Sequence, residues 1–191
     1  VCGDGAILHW DGQLWTLVNG QDVRSLYSVK MVSRDDGWAV GNSGLVMHWN
    51  GSRWAAVPTP SNASMYALDM VSASDGWAVG DGRFVSGRID GVLWHWNGAT
   101  WTQTLSPVAQ KLNGVDMISA GNGQAVGDGG VILTWDGSSW RSIASPTTDY
   151  LSAIDMISAT DGWIGGRQGL LLRWNGTSWS RFDNPPITET I

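Results

Sequence analysis

Apolar residues fall in short bursts along this chain, each cut off by Gly, Asn-Gly or Asp-Gly. The stretch LSAIDMISATDGWIGGRQGLLLRWNGTSWSRF (151–182) shows the pattern. It predicts a first strand over Ala153–Ser158, a second around WIGG, a third over LLLRW and a fourth over SWSRF. The turns ATDG, RQG and NG separate them. No segment carries the 3.6-residue periodicity of an amphipathic helix. Asn-Gly and Asp-Gly tolerate positive φ and so favour tight hairpins. They recur at Asp11-Gly12, Asn50-Gly51, Asn97-Gly98, Asp136-Gly137 and Asn175-Gly176.

The bursts repeat. HWDGQLW (9–15) returns as HWNGSRW, HWNGATW, TWDGSSW and RWNGTSW. Its first Trp falls at 10, 49, 96, 135 and 174, and its second five positions later at 15, 54, 101, 140 and 179. A third series, Trp38, Trp77 and Trp163, closes a DGW motif, with Gln124 in its place in one unit. Units of about 40 residues with four short antiparallel strands predict the blades of a β-propeller. A lone four-stranded sheet cannot bury both faces, whereas radially stacked blades cover one another. The tryptophans then pack blade against blade, each burying roughly 150–250 Å². A solenoid is the competing repeat architecture, but it needs distinct end caps, which the sequence does not show. The expected fold is therefore all-β, a propeller of five four-stranded blades forming a single domain over 1–191. The residues before Trp10 and after Trp174 together fall short of a full period by about one inner strand and its turn. One blade is thus expected to be incomplete, and the natural chain to continue beyond this segment.

DGWAVGNSG (36–44) and DGWAVGDG (75–82), each followed by an apolar strand and a second turn, resemble the Asp-box (BNR-like) propellers, in particular the photosystem II stability/assembly-factor-like group. That family's GWAVG…G…LHTTDGG…W pattern is altered here, with HWNG or TWDG in place of TTDGG. The resemblance covers nearly the whole chain and implies a propeller. It also implies the range of roles such propellers fill, as assembly factors, carbohydrate-related modules and surface proteins. Asp36, Asp75 and Asp161 are expected to bond their own turn amides.

Charge narrows the function. The formal net charge is −6, and Lys30 and Lys111 are the only lysines. Nucleic acid demands a dense cationic face, and anionic membranes demand basic clusters. Neither partner is expected, nor is membrane insertion, since no apolar run reaches about 18–20 residues. Cys2 is the only cysteine, which excludes an internal disulfide and a cysteine-based zinc site. His9, His48 and His95 occupy one register, but neighbouring blades hold equivalent atoms too far apart for one zinc ion, whose ligands sit about 2 Å from the metal. They read as a solvated blade face, and no metal or cofactor is expected.

Two groups remain as candidate sites. The inner strands carry Lys30, Asp69, Asp116 and Asp155 at one register. These form either a carboxylate ring suited to a cation or carboxylates bonded to the backbone of the next blade. The spacing between the second and third units is longer by eight residues, and the excess lies in RFVSGRIDGVLW (83–94). Arg83, Arg88, Asp90 and Trp94, which stands outside the three tryptophan series, are candidates for binding a ligand or partner there. Glu189 is the only glutamate, and the three tyrosines follow the repeat, so no converging acid–base pair or nucleophile suggests catalysis. The expected function is a non-catalytic binding or scaffold module of a secreted or cell-surface protein. A protein or glycan would bind at the ring mouth, formed by the turns SRDDG, SASDG, SAGNG and SATDG, or on the 83–94 insertion. A lectin with repeated sites and a self-assembling structural subunit are the alternatives.

Overall fold

The computed structural model of the protein describes residues 2–3, 6–10, 12–17, 24–82 and 90–182. They form five antiparallel sheets in chain order. Among the described residues the first blade has three strands, β1 (Cys2–Gly3), β2 (Ala6–Trp10) and β3 (Trp15–Leu17). The second is β4 (Leu26–Ser33), β5 (Asp36–Gly41), β6 (Val46–Trp49) and β7 (Trp54–Ala56). The third is β8 (Ser64–Ser72), β9 (Asp75–Asp81), β10 (Gly91–Trp96) and β11 (Trp101–Thr104). The fourth is β12 (Leu112–Ser119), β13 (Asn122–Gly127), β14 (Ile132–Trp135) and β15 (Trp140–Ile143). The fifth is β16 (Leu151–Ser158), β17 (Asp161–Gly166), β18 (Leu171–Trp174) and β19 (Trp179–Arg181). The inner strands pack in series, β4 on β8, β8 on β12 and β12 on β16. This is the bladed arrangement of a β-propeller. The sequence division into strands holds, and among the described residues the blade with fewer than four strands is the first.

Within a blade, the local sequence explains the register. The glycine of each DGW or NGQ motif pairs with an inner-strand methionine, Met31 with Gly37, Met70 with Gly76, Met117 with Gly123 and Met156 with Gly162. A β-carbon at any of these glycines would collide with that methionine's sulfur. Glycine thus makes room for the thioether, a flexible filler of irregular space. The turn after the second strand is a three-residue 3₁₀ segment at Asn42–Gly44, Asp128–Gly130 and Arg167–Gly169. The hairpin between the third and fourth strands is fixed by its own Asn or Asp. Asn50 Oδ1 accepts the amides of Ser52 and Arg53, and Asp136 Oδ1 those of Ser138 and Ser139. Each following glycine has a positive φ, 87° at Gly51 and 88° at Gly137, which explains the Asn-Gly and Asp-Gly pairs.

Between blades, the packing unit is one indole set against two. Trp38 lies 4.6 Å from Trp96 and 5.6 Å from Trp101, its neighbours on the third blade. Trp77 repeats this against Trp135 at 4.8 Å and Trp140 at 5.3 Å, on the fourth. The second contact is edge-on in both cases, at 79° and 86°, the arrangement the ring quadrupoles favour. Gln124 replaces the tryptophan between the fourth and fifth blades, and its Oε1 accepts the indole N–H of Trp179 at 2.9 Å. Trp38 and Trp77 are almost wholly buried. Trp10 and Trp15, the same pair on the first blade, are 47% and 50% exposed, because no described blade stands on that side. The tryptophans of the interior interfaces are therefore structural, as the repeat predicts.

Truncating Trp77 to Ala is expected to cost about 3–5 kcal/mol, the range for large aromatic deletions in a core. Truncating Trp15 is expected to cost under about 1 kcal/mol. Urea-denaturation midpoints of the two variants check the contrast.

Candidate binding face and inner-strand polar ladder

The inner-strand residues at one register form a ladder that runs from blade to blade. Lys30 Nζ donates to Asp69 Oδ1 at 2.7 Å. Asp69 Oδ2 accepts the backbone N–H of Met117 at 2.8 Å, and Asp116 Oδ2 accepts that of Met156. Each of these two carboxylates thus bonds the strand of the following blade, the second of the two readings open to the sequence. Among the described residues, no group of three His, Cys, Asp or Glu is arranged to hold a metal ion. Burial pushes the Asp116 carboxyl up to about 6, opposed by the Met156 amide and reinforced by the charges of Asp69 and Asp155. Lys30 is raised, first by its hydrogen bond to Asp69.

A second polar set lies on the blade faces, where sequence reasoning expected solvated histidines and turn-bonding aspartates. Instead these residues pair with each other. His48 Nε2 is 2.8 Å from Asp36 Oδ1, and His95 Nε2 is 2.7 Å from Asp75 Oδ1. The two imidazoles stack on Trp38 and Trp77 at 4.2 and 4.5 Å. In the fifth blade Arg173 takes the histidine's place, 3.4 Å from Asp161 and 5.1 Å over Trp163. In the fourth, all three members change together to Asn122, Thr134 and Gln124. The pairing follows from register, since Trp38 faces His48 across the β5–β6 ladder. The self-bonding expected of these aspartates occurs instead at the Asn and Asp of the other hairpin.

The two ends of the blades differ in character. Because the strands alternate in direction, the turns SRDDG, SASDG, SAGNG and SATDG share one end with the Asn-Gly and Asp-Gly hairpins. There each hairpin indole donates to a turn carbonyl, Trp49 to Arg34, Trp96 to Ala73, Trp135 to Ala120 and Trp174 to Ala159, at 2.9–3.2 Å. This end repeats one solution four times. The connection between β9 and β10, which holds the insertion, emerges at the other end.

At that other end, equivalent positions carry different chemistry. The second residue of each inner strand's Leu/Met-X pair is Tyr27, Tyr66, Asn113 and Ser152. Tyr27 and Tyr66 stack at 5.2 Å and 15°. Lys111 Nζ sits 3.5 Å over the Tyr66 ring, within cation–π range. The Tyr66 hydroxyl donates to Asp81 Oδ2 at 3.3 Å. Burial first, and then the charge of Asp81, push this phenol up to about 12. Burial likewise raises Asp81, opposed by Lys111. Asn113 Nδ2 donates to Asp128 Oδ1 at 2.8 Å and to the Leu151 carbonyl at 2.9 Å. Arg167 lies 4.4 Å over Tyr150.

The insertion candidates separate. Arg83 and Arg88 lie outside the described residues. Asp90 is exposed, and its carbonyl accepts the Gly82 amide at 2.8 Å, closing the neck of the connection beside Asp81. Trp94 is not a surface residue. It is fully buried in β10, packed with Trp38, Met65, Trp96 and Trp101, and offers no face to a ligand. Standing two residues before Trp96, it occupies the place of Met47, Leu133 and Leu172, so it belongs to the repeat as core. The stack of Tyr27, Tyr66 and Lys111 was not singled out from the sequence as a site. The signal that locates it is chemical variation at positions the fold makes equivalent.

No family model matches this chain, and no curated protein matches it. Among solved structures it is similar to YCF48 bound to D1 peptide, at 16% identity and a TM-score of 0.68, over 94% of this chain and 60% of that one. It is similar to YCF48 from Cyanidioschyzon merolae at 17% identity and a TM-score of 0.66, over 86% and 58%. The WD40 repeats of RRP9 match at 12% identity and a TM-score of 0.67, over 95% and 56%. The chain thus spans less than two thirds of the length of each. These likenesses establish the β-propeller fold.

The Asp116 carboxyl, held near 6 against an ordinary 3.8, gives a signed pH dependence. Between those values the native state keeps a proton that the unfolded chain releases. The contribution is stabilising at the acid end of the window and is lost as pH rises through about 6. Asp116→Asn keeps an acceptor for the Met156 amide and removes the titration. Denaturation midpoints between pH 5 and 7.5 should fall more steeply for the wild type than for this variant.

Proposed function

We propose that this chain is a non-catalytic propeller module that binds a protein or peptide on the end bearing Tyr27, Tyr66, Lys111 and Asp81. The supporting observation is the contrast between the two ends. One repeats the same hydrogen bonds in every complete blade. The other departs from the repeat in each blade and gathers an exposed tyrosine, a cation and a carboxylate around one stack. Chemistry that varies where the backbone does not is not demanded by the fold, and connecting segments on a rigid scaffold are where binding residues concentrate. Tyrosine is enriched among the anchoring residues at the centre of protein interfaces. One of the similar structures carries a peptide, in the words of its name, YCF48 bound to D1 peptide.

Asp90, at the neck of the connection that leaves beside Asp81, extends this face. A lectin with repeated sites would need matching residues from blade to blade, and this end varies instead. The low share of charged residues, 15%, supports a secreted or cell-surface setting. We count the DGW turns with the Asp-box class, their aspartates turned to a histidine or arginine on the next strand.

Panning a displayed random-peptide library on the protein supplies a probe. A selected peptide should bind Tyr27→Ser and Lys111→Ser variants at least 10-fold more weakly, about 1.4 kcal/mol. Its affinity for Ala99→Lys, at the opposite end, should be unchanged. Peptides sensitive only to Ala99→Lys, or binding on a glycan array with no peptide enriched, would overturn the proposal.

A further inference from the structure

Tyr27 and Tyr66 are the bulged residues of their inner strands. The β4–β5 register passes from Leu26 opposite Gly41 to Ser28 opposite Val40. The β8–β9 register passes from Met65 opposite Gly80 to Ala67 opposite Val79. One residue of each strand is left out of the pairing, and a bulge re-aims its side chain. The two bulges fall at equivalent places in neighbouring blades, and their rings meet across the seam where β4 packs on β8. Beside them the Ser28 hydroxyl accepts the Leu68 amide at 3.3 Å and ties one strand to the other. The rings lie close to parallel, at 15°, with centroids 5.2 Å apart, an offset-stacked contact.

The surroundings of Tyr66 favour loss of a proton and an electron together over loss of either alone. Burial, and then the Asp81 charge, hold the phenol up at about 12, so phenolate is scarce at neutral pH. Lys111 lies 3.5 Å over the ring and opposes a positive charge on it. The hydroxyl meanwhile faces both Asp81 oxygens, at 3.4 and 3.3 Å, and burial raises the proton affinity of that carboxylate. When an electron is taken from the ring, the hydroxyl proton has an acceptor in Asp81, and the product is a neutral phenoxyl radical against the Tyr27 ring. The third tyrosine, Tyr150, belongs to the fifth blade and has the Arg167 guanidinium over its ring.

We propose that Tyr27 and Tyr66 form an oxidative cross-linking site, at which a one-electron oxidant joins the two phenols through an ortho carbon–carbon bond and staples the second blade to the third. Each phenol gives one electron to the oxidant. The hydroxyl proton of Tyr66 passes to Asp81 and on to solvent, and that of Tyr27 passes to water. The two radicals pair between ortho carbons. The hydrogen on each of those carbons then moves to its own phenol oxygen, restoring both aromatic rings. Two electrons and two protons leave in all. Peroxide-derived radicals are oxidants of this class. Cys2 is the only cysteine, so no disulfide within the chain supplies such a staple. Linking residues one repeat apart restricts the unfolded chain as a disulfide does. This inference concerns covalent chemistry and stands whether or not a peptide binds the same end.

Visible-light oxidation of the 191-residue protein with tris(bipyridyl)ruthenium(II) and persulfate supplies a one-electron oxidant. Proteolysis and mass spectrometry should find the Tyr27 and Tyr66 peptides joined, lighter than their sum by two hydrogens, with dityrosine fluorescence in the monomer band. The linked pair should disappear with Tyr66→Phe, and also when the wild-type chain is oxidised unfolded in urea. Tyr150→Phe should leave its yield unchanged. Asp81→Asn keeps an acceptor for the hydroxyl but removes the base, and should lower the yield several-fold. The linked protein should unfold at a higher urea concentration than Tyr66→Phe protein given the same treatment. Linkage only between molecules, a linked pair that includes Tyr150, oxidation confined to tryptophan, or an equal yield in urea or with Asp81→Asn would each defeat the proposal.

Discussion

One indole pressed between a histidine of its own blade and two indoles of the next is the contact on which this architecture rests. A four-stranded sheet has two apolar faces and no means of burying either by itself. The Trp38 and Trp77 clusters supply large, rigid surfaces that interlock at a fixed angle, and so set how far each sheet rotates from the last. The other recurring features follow from that contact. The DGW glycine clears space for the inner-strand methionine, the Asn-Gly hairpin places the tryptophan pair, and the indole N–H of the first Trp is satisfied by the neighbouring turn. Where the tryptophan is replaced, Gln124 keeps the interface by bonding Trp179 directly.

The inner ladder adds direction to this packing. Asp69 and Asp116 each reach forward to the amide of the following blade, so the hydrogen bonding is head-to-tail. The shared cost is electrostatic. Burial, and then the charges of Asp69 and Asp155, raise the Asp116 carboxyl, and Lys30 at one end of the series pairs with Asp69.

The blade count and the strand divisions were legible in the sequence, because tryptophan and Asn-Gly recur at a fixed spacing that only a repeated sheet explains. The histidine–aspartate pairs were not. Asp36 and His48 are twelve positions apart, and nothing in their spacing shows that they face each other until the β5–β6 register is known. Trp94 was misjudged for a related reason. An insertion shifts the count, and a residue that follows it looks irregular until it is measured back from Trp96 rather than forward from Trp77. The tyrosine–lysine stack escaped because repeats draw attention to what recurs, whereas Tyr66 and Lys111 stand out only by differing from their counterparts. Arg83 and Arg88 remain legible in sequence alone.

The coordinated change in the fourth blade, where Asn122, Thr134 and Gln124 replace an Asp–His–Trp set, bears on how such a chain diversifies. Losing only the histidine strands a carboxylate beside an indole, and losing only the aspartate leaves an imidazole nitrogen without its hydrogen-bond partner. The three positions thus depend on one another within each blade. A chimera assembled from this protein should therefore be cut in the loops between sheets, where no such trio is divided.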